Sequence, residues 1–289
     1  NNRTSRSSPI QIPGTTWKSI TTSYSTHATK TDGTLWAWGH SINGSLGLND
    51  DDGKISSPVQ VGGGTDWDEV ITGTNHTVGA VKTDGTLWMW GNGHRGQLAQ
   101  NNETKYSSPV QIPGSWKSFS SASYSTTSAI RTDGTLWGWG DNEYGETGDN
   151  SNTLRSSPSQ IGSDTTWKQV TQSNARGMAT KTDGTLWAWG SPTFGANMLN
   201  DGDTKYSSPV QVGSGTDWDL VVQGADFSLA SKTDGTIWAS GIQDFGQLGN
   251  NAQSNVCLSS PTQIPGTSWM LAKAIMTDGS KTALVRQQS

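Results

Sequence analysis

The sequence predicts an all-β protein, a β-propeller of six four-stranded blades of roughly 50 residues each with the closing blade incomplete. Two kinds of repetition and a biased composition point to it. The nine residues TDGTLWAWG at 31–39 return almost unchanged at 83–91, 132–140 and 182–190, and as TDGTIWASG at 233–241. A Ser-Ser-Pro marker begins at Ser7, Ser56, Ser107, Ser156, Ser207 and Ser259, and a tryptophan follows each, at Trp17, Trp67, Trp116, Trp167, Trp218 and Trp269. The spacing is 49–52 residues throughout, the length of one small antiparallel sheet. Fifteen Trp and 36 Gly, with abundant Ser, Thr and Asn, suit strands and tight turns and leave almost no helix to expect.

Each unit reads as four short strands, in the second unit PVQV, then WDEVIT, then TVGAVK, then TLWMW. Proline suits the first residue of a strand, so Ser-Ser-Pro marks an entry. Asp-Gly, as in Lys82-Thr83-Asp84-Gly85-Thr86, signals a two-residue hairpin turn whose central positions both want positive φ. In the last strand the leucine and the two tryptophans fall on alternating faces, so large side chains can fill the space between neighbouring blades. All fifteen Trp fit the pattern, six after the marker and nine in WxW pairs, the fifth pair ending in Ser240. Residues 1–289 thus read as one propeller domain of units starting near the six marker serines.

Register separates one further Thr277-Asp278-Gly279 from the motif. It lies nine residues after Trp269, against 15 to 17 in the five copies. The stretch from Lys281 to Arg286 instead resembles the third strand from His76 onward, so a sixth unit lacks its TLWxWG strand. The expectation is that a preceding piece of chain or a partner supplies it.

The unit TLWxWGxNxxGQLG, followed by SSPVQV, W(K/D)xV and TxxAxKTDG, resembles the regulator of chromosome condensation repeat over essentially the whole chain. That resemblance implies the propeller fold. It implies no single function, because the family includes a nucleotide exchange factor, protein inhibitors of β-lactamase and many bacterial and phage surface proteins. The very regular copies resemble the bacterial and phage members.

Charged residues are 15% of the chain and the net charge is −5, which supplies no basic footprint for nucleic acid and no cationic face for membrane insertion. A single cysteine, Cys257, excludes an internal disulfide and a cysteine zinc site. No HExxH, phosphate-binding loop or nucleophile elbow is present, and no catalytic residue, cofactor or metal is expected. The run Asn49-Asp50-Asp51-Asp52-Gly53 lacks calcium-loop spacing and reads as a solvated turn, and the motif aspartates read as turn formers.

Where copies agree they build scaffold, so recognition should sit where they differ. Four residues separate each WG or SG from a closing glycine, and these loops leave one face of the ring. Their fourth positions read Asn43, Arg95, Tyr144, Phe194 and Phe245, an aromatic and arginine mix typical of interface anchors, with His94, Glu143 and Asp244 beside them. The alternative is that the aromatics fold back and pack under the following turn. A second variable ring before the third strand comprises His76, Arg176, Phe227 and Lys281, with a hydrogen-bonded structural role favoured for His76. The expected function is a non-enzymatic module presenting loops to a protein or glycan partner, on a virion, tail fibre or cell surface. A structural building block, forming a homo-oligomer or part of a virion, is the alternative, and guanine nucleotide exchange the third reading.

Overall fold

The computed structural model describes residues 7–73, 75–121, 125–244, 246–250, 257–267, 269–270 and 285–286. They form five four-stranded antiparallel sheets and one short strand pair. Blade 1 holds β1 (Trp17–Thr22), β2 (Ser25–Lys30), β3 (Leu35–His40) and β4 (Lys54–Gln60). Blade 2 holds β5 (Trp67–Thr72), β6 (Thr77–Lys82), β7 (Leu87–Gly91) and β8 (Tyr106–Ile112). Blade 3 holds β9 (Trp116–Ser121), β10 (Thr126–Arg131), β11 (Leu136–Gly140) and β12 (Arg155–Ile161). Blade 4 holds β13 (Trp167–Ser173), β14 (Arg176–Lys181), β15 (Leu186–Gly190) and β16 (Tyr206–Gln211). Blade 5 holds β17 (Trp218–Gln223), β18 (Phe227–Lys232), β19 (Ile237–Gly241) and β20 (Leu258–Gln263), and β21 (Trp269–Met270) pairs with β22 (Val285–Arg286).

Strand pairing corrects the grouping read from the sequence. The Ser-Ser-Pro strand belongs to the preceding sheet, since β4 pairs with β3 and β8 with β7, so a blade runs from its marker tryptophan to the next SSPVQ. The reason is the edge. Pro58, Pro109, Pro158, Pro209 and Pro261 sit in the last strand of each blade, where a missing N–H breaks no ladder and discourages further pairing. Ser7 to Ile12, which match such an edge strand in sequence, are exposed and form no strand.

The space between blades is filled asymmetrically. Leu35, Ala37, Leu46 and Val61 of blade 1 pack against Trp67, Val70, Ala80 and Trp90 of blade 2. Leu87, Met89 and Ile112 of blade 2 meet Trp116, Phe119 and Trp139 of blade 3 in the same way. One face of each sheet therefore carries the aliphatic residues of TLWxW and the other carries its tryptophans, as period-two alternation requires. The first strands of neighbouring sheets lie against one another, which puts them at the inside of the ring and the proline strands at its rim.

The repeated TDGT is a hydrogen-bond device. In blade 2, Trp88 Nε1 donates to Thr86 Oγ1 (3.0 Å), which donates to Asp84 Oδ1 (2.7 Å), and Thr86 N donates to the same oxygen (2.9 Å). The other four copies repeat all three bonds, through Asp32, Asp133, Asp183 and Asp234. These donors, the threonine hydroxyl foremost, hold each aspartate below its usual pKa. The turn is also not the two-residue form expected. Gly85 N donates to Lys82 O (2.9 Å) and Lys82 N to Thr86 O (2.9 Å), a three-residue loop in which only the glycine has positive φ. The aspartate side chain takes the amide that a two-residue turn would have left to the ladder.

Replacing Trp90, fully buried between blades 1 and 2, by alanine should cost about 3–5 kcal/mol of stability. Thr86→Val, which keeps the shape and removes the relay, should cost about 1–2 kcal/mol. Urea unfolding of both variants measures this; an unchanged midpoint for Thr86→Val would remove the relay from the account of the repeat.

Candidate functional site

The loops between the third and fourth strands, and the turns between the first and second, all leave the same face, because alternate connections of an antiparallel sheet share one end. What fixes the loops is supplied by the next blade. Trp90 Nε1 donates to Ser45 O (3.0 Å), Trp139 Nε1 to Gln97 O (2.8 Å) and Trp189 Nε1 to Glu146 O (2.9 Å). Each acceptor directly follows the closing glycine of the preceding blade's loop. Ser240 stands where blade 5 would have that tryptophan, and Ser228 Oγ takes the Ala196 carbonyl instead (2.6 Å).

A second tether lies at the far end of each loop. Asn49, Asn101, Asn150 and Asn200 adopt left-handed φ between 55° and 62°. Their amides donate to Ser107, Ser156, Ser207 and Ser259 O at 2.8, 2.7, 2.7 and 3.0 Å, one blade onward. The closing glycines press on the same serines: a Cβ at Gly44 would lie 2.5 Å from Ser107 Cα and one at Gly145 2.6 Å from Ser207 Cα. Glycine is required there by contact as well as by φ. The serine of Ser-Ser-Pro is thus a docking point between blades, which its reading as a strand entry missed. A signal existed in the sequence: asparagine falls ten residues after the WG glycine in each of these four blades.

On that base the variable residues differ in what they present. Phe194 is 45% exposed, and it holds φ 57° inside the 3₁₀ turn Thr193–Gly195. A phenylalanine in that conformation costs about 1–2 kcal/mol. Asn43 occupies the same place in the turn Ile42–Gly44 with φ 54°, half-buried. Tyr144 is half-buried, its ring covered by the Lys205 amine at 4.4 Å. His94, Arg95, Glu143 and Asp244 are exposed. Arg95 Nε lies 3.7 Å from Asp141 Oδ2 of blade 3, tying adjacent loops by a surface ion pair worth under about 1 kcal/mol. Phe245 falls outside the described residues.

The second ring does not assemble. Strand register aligns Arg176 and Phe227 with Thr77 and not with His76, because they pair with Gly190 and Gly241 as Thr77 pairs with Gly91. Both are fully buried. Arg176 Nη2 donates to Gly224 O (3.1 Å) and Ala225 O (2.7 Å), joining blade 4 to the turn of blade 5, and burial lowers its pKa to about 10. His76, half-buried, packs on Tyr24 at 4.9 Å. Two other histidines hydrogen-bond within blade 1: His40 Nε2 meets Asp52 Oδ1 at 2.8 Å, and His27 Nε2 meets Ser45 O at 2.9 Å, with burial lowering the His27 pKa to about 4. Lys281 lies outside the described residues. Among the described residues no group of three His, Cys, Asp or Glu is placed to hold a metal ion, and no helix is long and apolar enough to cross a membrane.

One loop carries a titratable group beneath it. Glu146 is buried, and its Oε2 accepts from Tyr144 N (2.7 Å), as Gln97 Oε1 accepts from Arg95 N (2.8 Å) in blade 2. Burial, with smaller contributions from Asp141 and Glu143, raises its pKa from 4.5 to about 7. A carboxyl raised in the folded state favours folding fully below its unfolded value, and that contribution is lost as pH climbs through about 7. Glu146→Gln, the residue blade 2 uses, should flatten the fall in stability between pH 5 and 8 and add about 2 kcal/mol at pH 8. Unfolding at both pH values measures it, and parallel losses in the two proteins would refute the assignment.

Comparison with known proteins agrees with this architecture. The regulator of chromosome condensation (RCC1) repeat matches residues 32–80 and 84–128, and a second form of it matches 121–146. The ultraviolet-B receptor UVR8 of Arabidopsis thaliana is 30% identical over 105 residues, 32% of this chain and 24% of the receptor. The protein RCC2 homolog of Danio rerio is 37% identical over 78 residues, 26% of this chain and 15% of that protein. The matched stretch therefore spans a quarter or less of each relative. Among solved structures, human WBSCR16 superposes with a TM-score of 0.77 at 15% identity, over 90% of this chain and 71% of its own. Prp20p of Saccharomyces cerevisiae, described with its binding to Gsp1p and histones, gives 0.73 at 18% identity over 84% and 62%. Repeat sequence and blade geometry agree: residues 32–146 carry RCC1-type repeats, and the described sheets have the architecture of RCC1-like structures.

Proposed function

We propose that this propeller is a non-catalytic protein-binding module whose binding face is formed by the loops after the third strands, with Phe194, Tyr144 and Arg95 as anchors. Phe194 carries the reading. Its aromatic ring, 45% exposed and held in a strained conformation, sits on a turn clamped from the neighbouring blade, where a partner would bury it. Clamping also means the loops are ordered before contact, which lowers the entropic cost of association. The relatives support protein binding as the mode, since Prp20p binds Gsp1p and histones. Those partners are not carried over to this acidic chain. Location at a virion, tail fibre or cell surface is part of the same proposal and rests on the sequence resemblance to bacterial and phage members.

A second reading, a building block that packs side by side, is favoured by a separate patch. Ile20 and Tyr24 are 60% and 65% exposed on blade 1, with Ile10 and Ile12 exposed before it.

The test is capture of partners from the native source by the full chain, followed by affinity measurement for the captured protein. The triple variant F194A, Y144A and R95A should bind at least about 30-fold more weakly with its melting temperature kept within a few degrees. Unchanged affinity would dismiss the loop face. Concentration-dependent self-association abolished by Ile20→Asp would favour the building block.

A further inference from the structure

The cation that ends the second strand of each blade lies over that blade's tryptophans. Lys82 sits 4.8 Å from the Trp67 ring, Lys181 4.0 Å from Trp187, Lys232 4.8 Å from Trp218 and Lys30 4.1 Å from Trp36. In blades 2, 4 and 5 a carboxylate completes the arrangement: Asp66 on Lys82 (3.1 Å), Asp164 on Lys181 (2.7 Å) and Asp217 on Lys232 (3.1 Å). Blade 3 breaks the pattern twice. Its cation is Arg131, 3.7 Å from the Trp137 ring, and Ser115 stands where blades 2 and 5 have the aspartate before the marker tryptophan. Arg131 Nε is buried without a hydrogen-bond partner. Asp133, two residues on, has its Oδ1 held by Thr135 at 2.6 Å, as its counterparts do in every blade.

Arg131 also opens into space. With Gln100, Asn101, Gln111, Ser157 and Pro158 it lines a cleft of about 370 Å³ between blades 2 and 3. Lys30 of blade 1 likewise has no carboxylate among the described residues, but it lines none of the clefts described. We propose that this cleft binds an aspartate or glutamate side chain of a protein partner, received by the Arg131 guanidinium. The chemistry is read from the sister blades: the matching cleft between blades 4 and 5, about 330 Å³, is lined by Lys232, and there Asp217 already holds the cation at 3.1 Å. Arginine suits a ligand arriving from outside, because its planar fork takes both carboxylate oxygens while Trp137 holds the plane. The cleft is at the small end of ligand sites, enough for one side chain and its adjoining main chain. Gln111 of edge strand β8 and Ser157 and Pro158 of β12 flank it, so a side chain presented by a partner can reach Arg131 from the rim. The site is on the rim and does not depend on the loop face.

The experiment follows the Arg131 Nε–H resonance of the full chain while a capped Gly-Glu-Gly peptide is added. The proposal expects a saturable shift, no shift with capped Gly-Gln-Gly, and an unchanged response in the loop-face triple variant. Ser115→Asp, which restores the internal carboxylate, should abolish peptide binding and raise the melting temperature. Arg131→Lys, the residue of the sister blades, should fold normally and weaken binding about tenfold as read by a peptide-side signal. No shift, an equal shift with the glutamine peptide, inorganic phosphate binding more tightly than the glutamate peptide, or full binding by folded Ser115→Asp would each overturn it.

Discussion

The structure depends on an indole N–H that crosses from one blade to the next. Trp90, Trp139 and Trp189 each fill the gap between sheets and donate to the carbonyl at the base of the preceding blade's loop. Packing and loop order are therefore one event. A sheet with one apolar face cannot be stable alone, and here the neighbour that covers it also fixes the segment that leaves it. A buried indole left without an acceptor would cost stability, so the loop base cannot drift without penalty. Where the tryptophan is lost, at Ser240, the bond is kept by a different strand through Ser228. Its preservation after the ring has gone argues that the carbonyl tether matters in its own right.

Repetition follows from the same geometry. Each TDGT must place a tryptophan at one height in the sheet, and the relay from indole to threonine to aspartate sets that height from within the hairpin. Five near-identical copies are what five equivalent gaps demand. The loops are tethered at the carbonyl after the closing glycine and again at the asparagine amide, and the residues just before the first tether are the ones that vary. Asn43, Arg95, Tyr144 and Phe194 fall there.

The fold was legible because it is written in spacing: period, strand alternation and the hairpin signal are all local or repeated. The partition into blades was not, since PVQV pairs backward to TLWMW across a long loop and a linear reading groups it forward. The loop anchors could be located by symmetry, yet their exposure could not. Tyr144 is covered by a lysine from blade 4, while Phe194 is 45% exposed on its 3₁₀ turn. The second ring failed by one residue of register, and in a strand one residue exchanges faces. Arg176 and Phe227 moved from a notional rim into the packed interior.

Departures from the repeat are of two kinds, and access to an open cleft separates them. Arg176 is a buried cation, but it spends one nitrogen on two carbonyls of the adjoining blade and faces Asp226. Its role is to join sheets. Gln172 likewise reaches back to Ser128 and Glu146 O, joining blade 4 to blade 3. Arg131 differs in that the acid supplied in blades 2, 4 and 5 is missing and a cleft lies open beside it. A repeat protein is its own control: where blades 2, 4 and 5 each give the same cation a carboxylate, the blade that leaves its arginine without one beside an open cleft marks a place where the chain has something other than folding to do.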